Sequence, residues 1–354
     1  MKTFHCTHCQ HLVFFENIRC LNCGHALAYL PDHELMAALE ETGDGTWRHA
    51  GAGGTDEMYR LCANYDKENV CNWAVPQHDP ETLCRSCRLT RVIPDLSKSG
   101  NAAAWYRLEV AKRRLVYTLL GLSLPLERRQ APGDGGVEFQ FLEDSQSGDG
   151  QRVLTGHDNG LITINVAEAD DVRREEQRQL QNEPYRTLLG HFRHEIGHYY
   201  WDRLIRDGAR LEPFRRLFGD ERADYQQALQ NHYRDGPPAS WESTFISAYA
   251  TSHPWEDWAE SWAHFMHMTD ALETAAAVGL SLQPRRKDEP AMSAPVNPLA
   301  PRAPDFDHMV GQWSSLTYVL NNLNRGLGLP DSYPFVLSGP VVDKLRFIHD
   351  TIYD

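Results

Sequence analysis

The sequence predicts an α+β protein: a cysteine-bearing N-terminal region, then a mainly helical domain with a small β-sheet. Three observations lead there. The eight cysteines (Cys6, Cys9, Cys20, Cys23, Cys62, Cys71, Cys84 and Cys87) all fall within the first quarter of the 354 residues. Beyond them, long segments carry apolar residues at helical spacing. Between those segments two short runs, "GVEFQFLED" at 136–144 and "GLITINVAEAD" at 160–170, read instead as strands.

Composition narrows the function classes. Charged residues make up 24% and hydrophobic residues 41%, as in ordinary globular proteins. The net charge of −14, from 35 basic and 49 acidic residues, disfavours a nucleic acid or an anionic membrane as partner. No apolar run approaches the ~18 residues of a membrane span. The opening "MKTFHCTHCQ" has no apolar stretch after its lysine, so no secretory signal is expected. A cytoplasmic location follows as the expectation, and with it metal rather than disulfides on the cysteines.

The first quartet, "CTHC" and "CLNC", is a pair of C-x2-C knuckles separated by ten residues. That spacing brings Cys6, Cys9, Cys20 and Cys23 to the corners of a tetrahedron around one zinc ion, the pattern of a zinc ribbon. The intervening "QHLVFFENIR" reads as a short hairpin. In the second quartet Cys84 and Cys87 form a normal knuckle, whereas Cys62 and Cys71 are separated by eight residues. A second structural zinc is expected there; free, redox-active Cys84 and Cys87 are the alternative. All-sulfur sites leave no position for a substrate, so both quartets read as structural or protein-docking sites.

The remaining elements follow in order. The polar, glycine-rich "ETGDGTWRHAGAGGTDE" at 41–57 reads as a linker. The expected division is a ribbon over 1–42, a linker with the second quartet over 43–96, and the helical domain over 97–354. "NAAAWYRLEVAKRRLVYTLLGL" predicts a helix capped by Asn101. Turn-rich "SQSGDGQ" and "GHDNG" separate the two strands. A long helix is expected from Pro184 to Ile205 and another from Trp255 to Ala277. Six prolines across 284–304 predict a flexible connector or surface flap, and two further helices close the chain.

The first long helix carries "HEIGH" at 194–198. Residues four apart share a helix face, so His194 and His198 can point at one metal ion, with Glu195 within reach of a water on its open side. Leu188, Leu189, Phe192, Ile196 and Leu204 supply an apolar side, and Gly197 permits close approach of another element. Two solvated histidines are the bland alternative, and a further ligand must come from downstream. On the second helix Glu256 and Glu260 again lie four apart among Trp258, Trp262, Phe265 and the small Ala259 and Ala263. Carboxylates in such surroundings are costly to bury unless they meet a cation. One on the metal and one on a ligand imidazole satisfies that condition. His253, His264 and His267 are rival third ligands.

H-E-x-x-H followed by E-x-x-A-E resembles the gluzincin metallopeptidases. The resemblance implies Glu256 as third zinc ligand and Glu260 as the carboxylate that orients His194. In the branch that includes lethal-factor-type toxins, a tyrosine seven residues before the ligand glutamate binds the oxyanion, and Tyr249 stands at that distance. "LCANY…CNW…LCRSCRL", "HFRHEIGHYYWDRLI" and "GLPDSYPFVLSGPVVDKLRFIHD" together resemble, over nearly the whole chain, a bacterial family of zinc-binding metallopeptidases with an N-terminal zinc ribbon. That resemblance implies a zincin-like domain holding one catalytic zinc beside one or two structural ones. It implies peptide-bond hydrolysis with Glu195 as general base. By analogy with zincins, "LITIN" at 161–165 would be the sheet edge that receives an extended peptide substrate. Two other readings use the same residues: a ribbon adaptor on a non-catalytic zincin fold, and a zinc amidase acting on a non-protein substrate.

Overall fold

The computed structural model of the protein describes residues 1–51, 57–144, 153–174 and 187–354. The expected α+β architecture is present. At the N-terminus β1 (Phe4–His5) pairs antiparallel with β2 (Leu12–Val13) across the first cysteine knuckle. Arg19 bridges Ala26 across the second. "QHLVFFENIR" is therefore not a hairpin in itself; it lends one strand to each of two knuckle-tipped hairpins.

A five-stranded antiparallel sheet follows in simple meander order: β3 (Ala26–Leu30), β4 (Leu35–Glu41), β5 (Trp47–His49), β6 (Met58–Leu61) and β7 (Ala74–Pro76). This corrects the linker reading of 41–57, because Trp47–His49 pairs with both β4 and β6. Residues 52–56 of that stretch lie outside the described residues. The sheet runs through position 42, and a short helical turn, α1 (Ala63–Asp66), lies between Cys62 and Cys71 of the second quartet.

The second sheet has the order β10–β11–β9–β8: β8 (Thr90–Val92), β9 (Glu138–Leu142), β10 (Gly156–Asp158) and β11 (Leu161–Asn165). β8, β9 and β11 run parallel and β10 antiparallel. β8 leaves the last cysteine almost at once and pairs with β9, so the ribbon region and the helical domain share a sheet. The crossover from β8 to β9 is α2 (Asn101–Gly121). Asn101 is its first helical residue rather than its cap: Gly100, at φ +89°, precedes it, and the Asn101 amide donates to the Asp95 carbonyl at 2.9 Å.

α3 (Leu188–Leu204) starts from Thr187, whose hydroxyl accepts from the Gly190 amide. The expected start at Pro184 lies outside the described residues, as does "SQSGDGQ". α3 lays Phe192 on Phe139 and Phe141 of the sheet. Its other side meets α6 (Pro254–Ala277), with α4 (Leu211–Phe218) and α5 (Tyr225–Asp235) between them in sequence. α7 (Phe306–Gly326) and α8 (Gly339–Tyr353) complete the domain.

The 284–304 segment corrects the flexible-connector reading. It is irregular but tied down: Gln312 donates to the Ala294 carbonyl, His349 to that of Pro304 and Tyr353 to that of Pro298. Prolines cannot donate, but their carbonyls accept, and the two C-terminal helices supply the donors.

The α3–α6 contact is unusually close for a structural reason. A Cβ at Gly197 would stand 3.1 Å from Ala259 Cα and 3.2 Å from Trp262 Cβ. The Trp258 indole donates to the Gly197 carbonyl at 2.8 Å, and Tyr200 stacks on Trp262 at 4.9 Å. Gly197→Val is therefore expected to lower stability by roughly 1–3 kcal/mol through overpacking, read as a fall in the denaturation midpoint. An unchanged midpoint would show that the two helices have room to part.

Candidate metal centre

Because α3 and α6 approach so closely, side chains 62 residues apart meet between them. His194 Nε2 lies 3.0 Å from Glu256 Oε2, His198 Nε2 lies 3.5 Å from the same oxygen, and the two imidazole nitrogens are 3.2 Å apart. Ligands held at ~2.0–2.1 Å around a tetrahedral zinc stand about 3.3 Å from one another. The three donors thus already have the separations that one ion requires. Glu256 is buried, with 1% exposed.

Two of the three donors are held from behind. His194 Nδ1–H donates to Glu260 Oε1 at 2.7 Å, which turns Nε2 toward the cluster as the nitrogen left to bind a metal. Ser247 donates to the other Glu260 oxygen at 2.6 Å. Tyr225, on the first turn of α5, donates to Glu256 Oε1 at 2.6 Å. The loop that carries Ser247 and Tyr249 is anchored by α8: Lys344 donates to the Thr244 carbonyl at 2.9 Å and pairs with Asp257 at 2.6 Å.

A cleft of about 380 Å³ opens over the cluster, lined among others by Glu195, Trp201, Asp202, Tyr225, Tyr249 and Trp255. Burial raises the pKa of Glu195 above the usual carboxylate range. Burial, then the charge of Glu256, holds the Tyr249 phenol well above its ordinary value. Its ring lies 5.9 Å from that of His194, and among the described residues no group accepts from its hydroxyl. Tyr249 is therefore a neutral donor facing the cleft.

One wall of the cleft is β10, and this corrects the edge-strand reading. Leu161–Asn165 ("LITIN") lies between β10 and β9, so its main chain is paired on both sides; the free edge is Gly156–Asp158. From that edge His157 stacks on His198 at 6.3 Å. Burial, aided by His198, lowers its pKa to about 3. Its Nε2 accepts from the Gly160 amide at 2.8 Å, so the neutral ring carries its proton on Nδ1.

The rival histidines lie elsewhere. His253 caps α6 by accepting from the Trp255 amide, His264 Nδ1 is 2.8 Å from the Tyr333 hydroxyl, and His267 packs against Trp313 and Tyr333. Both cysteine quartets converge: Cys6–Cys23, Cys9–Cys20 and Cys71–Cys84 sulfurs are 3.7, 3.6 and 3.7 Å apart. Those gaps are far beyond a disulfide. They match the ~3.8 Å edge of a tetrahedron with 2.3 Å Zn–S bonds. Amide donors at Trp73 and Cys84 point at Cys71 and Cys62 sulfurs, favouring thiolates.

A family model described as "Putative zinc-binding metallo-peptidase" matches residues 101–351. The chain belongs to this metallopeptidase family. A zinc-ribbon domain model matches residues 3–98. An uncharacterized protein of Mycobacterium bovis and uncharacterized proteins of two Mycobacterium tuberculosis strains are each 43% identical over 353 residues, covering 99% of this chain and 95% of the relative. No solved structure matches. Among the described residues, no helix is long and apolar enough to cross a membrane.

Within this member of the family, Tyr225 and Ser247 carried no usable sequence signal. They stand on separate elements, without a spacing that ties them to either glutamate. Asp202 was missed too, although helical spacing could have found it, since it continues the His194–His198 face by another four residues. It lines the cleft with its pKa raised by burial.

Proposed function

We propose that the protein is a zinc-dependent peptidase of gluzincin type in which His194, His198 and Glu256 hold the catalytic metal. The observation that supports this best is the meeting of three lone-pair donors at 3.0–3.5 Å, with Glu260 fixing the tautomer of His194. A zinc ion there supplies Lewis acidity that acidifies water and polarises a carbonyl. Glu195 is the general base: its raised pKa suits it to take a proton from water and return it to the leaving amine. Tyr249 donates to the carbonyl oxygen as negative charge develops there. The free edge of β10 receives an extended peptide by main-chain hydrogen bonds, which favours a peptide over a non-peptide substrate.

The two cysteine quartets are proposed as structural zinc sites, in keeping with the sulfur separations. Buried Arg113 of α2 stands beside the second quartet, its guanidinium donating to the Val70 carbonyl at 2.5 Å, whereas the neighbouring Lys112 is paired with buried Glu109 at 2.9 Å. A cation placed like Arg113 helps offset the net negative charge of a four-thiolate zinc site. The reading places the protein in the cytoplasm, where thiols stay reduced.

Metal content separates these roles. A thiol-specific mercurial should release two zinc equivalents per chain, and a chelator a third; release of all three by the mercurial would contradict the His–Glu site. Glu195→Gln should keep three zinc ions and lose about 10²–10⁴-fold in turnover. Tyr249→Phe should lose about 10²-fold with metal retained. Both are measured by mass spectrometry on an unbiased peptide library. Full turnover by Glu195→Gln would remove Glu195 as base, and an absence of chelator-sensitive cleavage by the wild type would favour the adaptor reading.

A further inference from the structure

We infer that Tyr225 is a positioning residue that holds Glu256 to a one-oxygen contact with the metal; the inference rests on the peptidase reading above. The two carboxylate oxygens of Glu256 are already divided. Oε2 faces both imidazole nitrogens, at 3.0 and 3.5 Å, while Oε1 accepts from the Tyr225 hydroxyl at 2.6 Å. That length is typical of a charge-assisted O–H···O⁻ bond, about twice as strong as a neutral one. A carboxylate can chelate zinc through both oxygens, but here doing so would break this bond in a buried site. One-oxygen binding would keep zinc at four donors with water as the fourth, the count typical of catalytic sites.

Tyr225 reaches Glu256 through a built support. Asp224 caps α5 by accepting from the Gln227 amide, which makes Tyr225 the first helical residue. His253 ties that segment to α6: Nδ1 accepts from the Trp255 amide, and Nε2–H donates to the Ala223 carbonyl at 3.1 Å. The Tyr225 ring then packs on His253 and Trp255 at 5.2 and 5.9 Å. The histidine weighed as a rival ligand thus acts two bonds removed, by placing the phenol. Tyr225 and Tyr249 divide the work: one is spent on Glu256, the other faces the cleft.

The test uses the full-length, zinc-loaded chain as wild type, Tyr225→Phe and Tyr249→Phe, dialysed against graded chelator and assayed for zinc per chain. Tyr225→Phe should release its chelator-labile zinc at roughly 10–100-fold lower chelator, while Tyr249→Phe should match the wild type. With cobalt(II) replacing that zinc alone, the visible bands of Tyr225→Phe should weaken as coordination rises. A wild type without chelator-labile zinc would overturn the peptidase reading itself. A labile zinc whose retention and cobalt spectrum are the same in Tyr225→Phe would overturn only the role of Tyr225. A zinc-loaded crystal structure of the wild type needs no variant: both Glu256 oxygens within about 2.2 Å of zinc would refute the inference, and Oε1 remaining on Tyr225 would support it.

Discussion

The candidate site depends on how closely α3 and α6 can approach. Gly197 removes the one side chain that would hold them apart, and Ala259 opposes it with a methyl group. Trp258 and Trp262 then close over the contact, one donating to the Gly197 carbonyl and the other stacking on Tyr200. At that separation His194, His198 and Glu256 meet within coordination range. A wider gap would leave Glu256 a buried carboxylate with the Tyr225 hydroxyl behind it but no imidazole or cation before it, which is costly. Backbone packing and site chemistry are therefore one constraint.

Around that contact the rest of the chain acts as scaffold. α8 reaches in with Lys344 to hold the 244–251 loop and Asp257 together, placing Ser247 on Glu260 and Tyr249 on the cleft. α2 joins the two regions. Its Arg113 donates to a carbonyl beside the second quartet, and its Tyr117 and Thr118 donate to Glu273 and Asp270 of α6. The cysteine region is thus continuous with the domain that carries the cleft, through both this helix and β8.

Much of the site was legible because it is local. Helical period alone puts His194 over His198 and Glu256 over Glu260. The apolar stripes, together with Gly197 and Ala259, foretold that these faces would pack. Capping was legible only in part: an asparagine at a helix start suggested a cap, but the Asp95 carbonyl takes the Asn101 amide instead. Strand composition identified "LITIN" as a strand yet not its neighbours. Sheet order depends on which runs close around it: of "GHDNG", read as a turn, Asn159–Gly160 do turn the chain, but Gly156–Asp158 form the edge strand. The same non-local pairing turned a glycine-rich linker into β5, and carbonyl acceptors turned a proline-rich flap into a fastened strap.

By itself, the sequence determined the candidate donors and their spacing along each helix, the two cysteine quartets, and the α+β class, because these follow from chemistry and periodicity within a few residues. The tertiary structure alone decided which strand edges the cleft and which histidines stay outside it. It also decided that Tyr225, Ser247 and Lys344, from three distant elements, stand behind the cluster. Those assignments rest on contacts between segments far apart in the chain, whose geometry is set by packing and not by any local pattern.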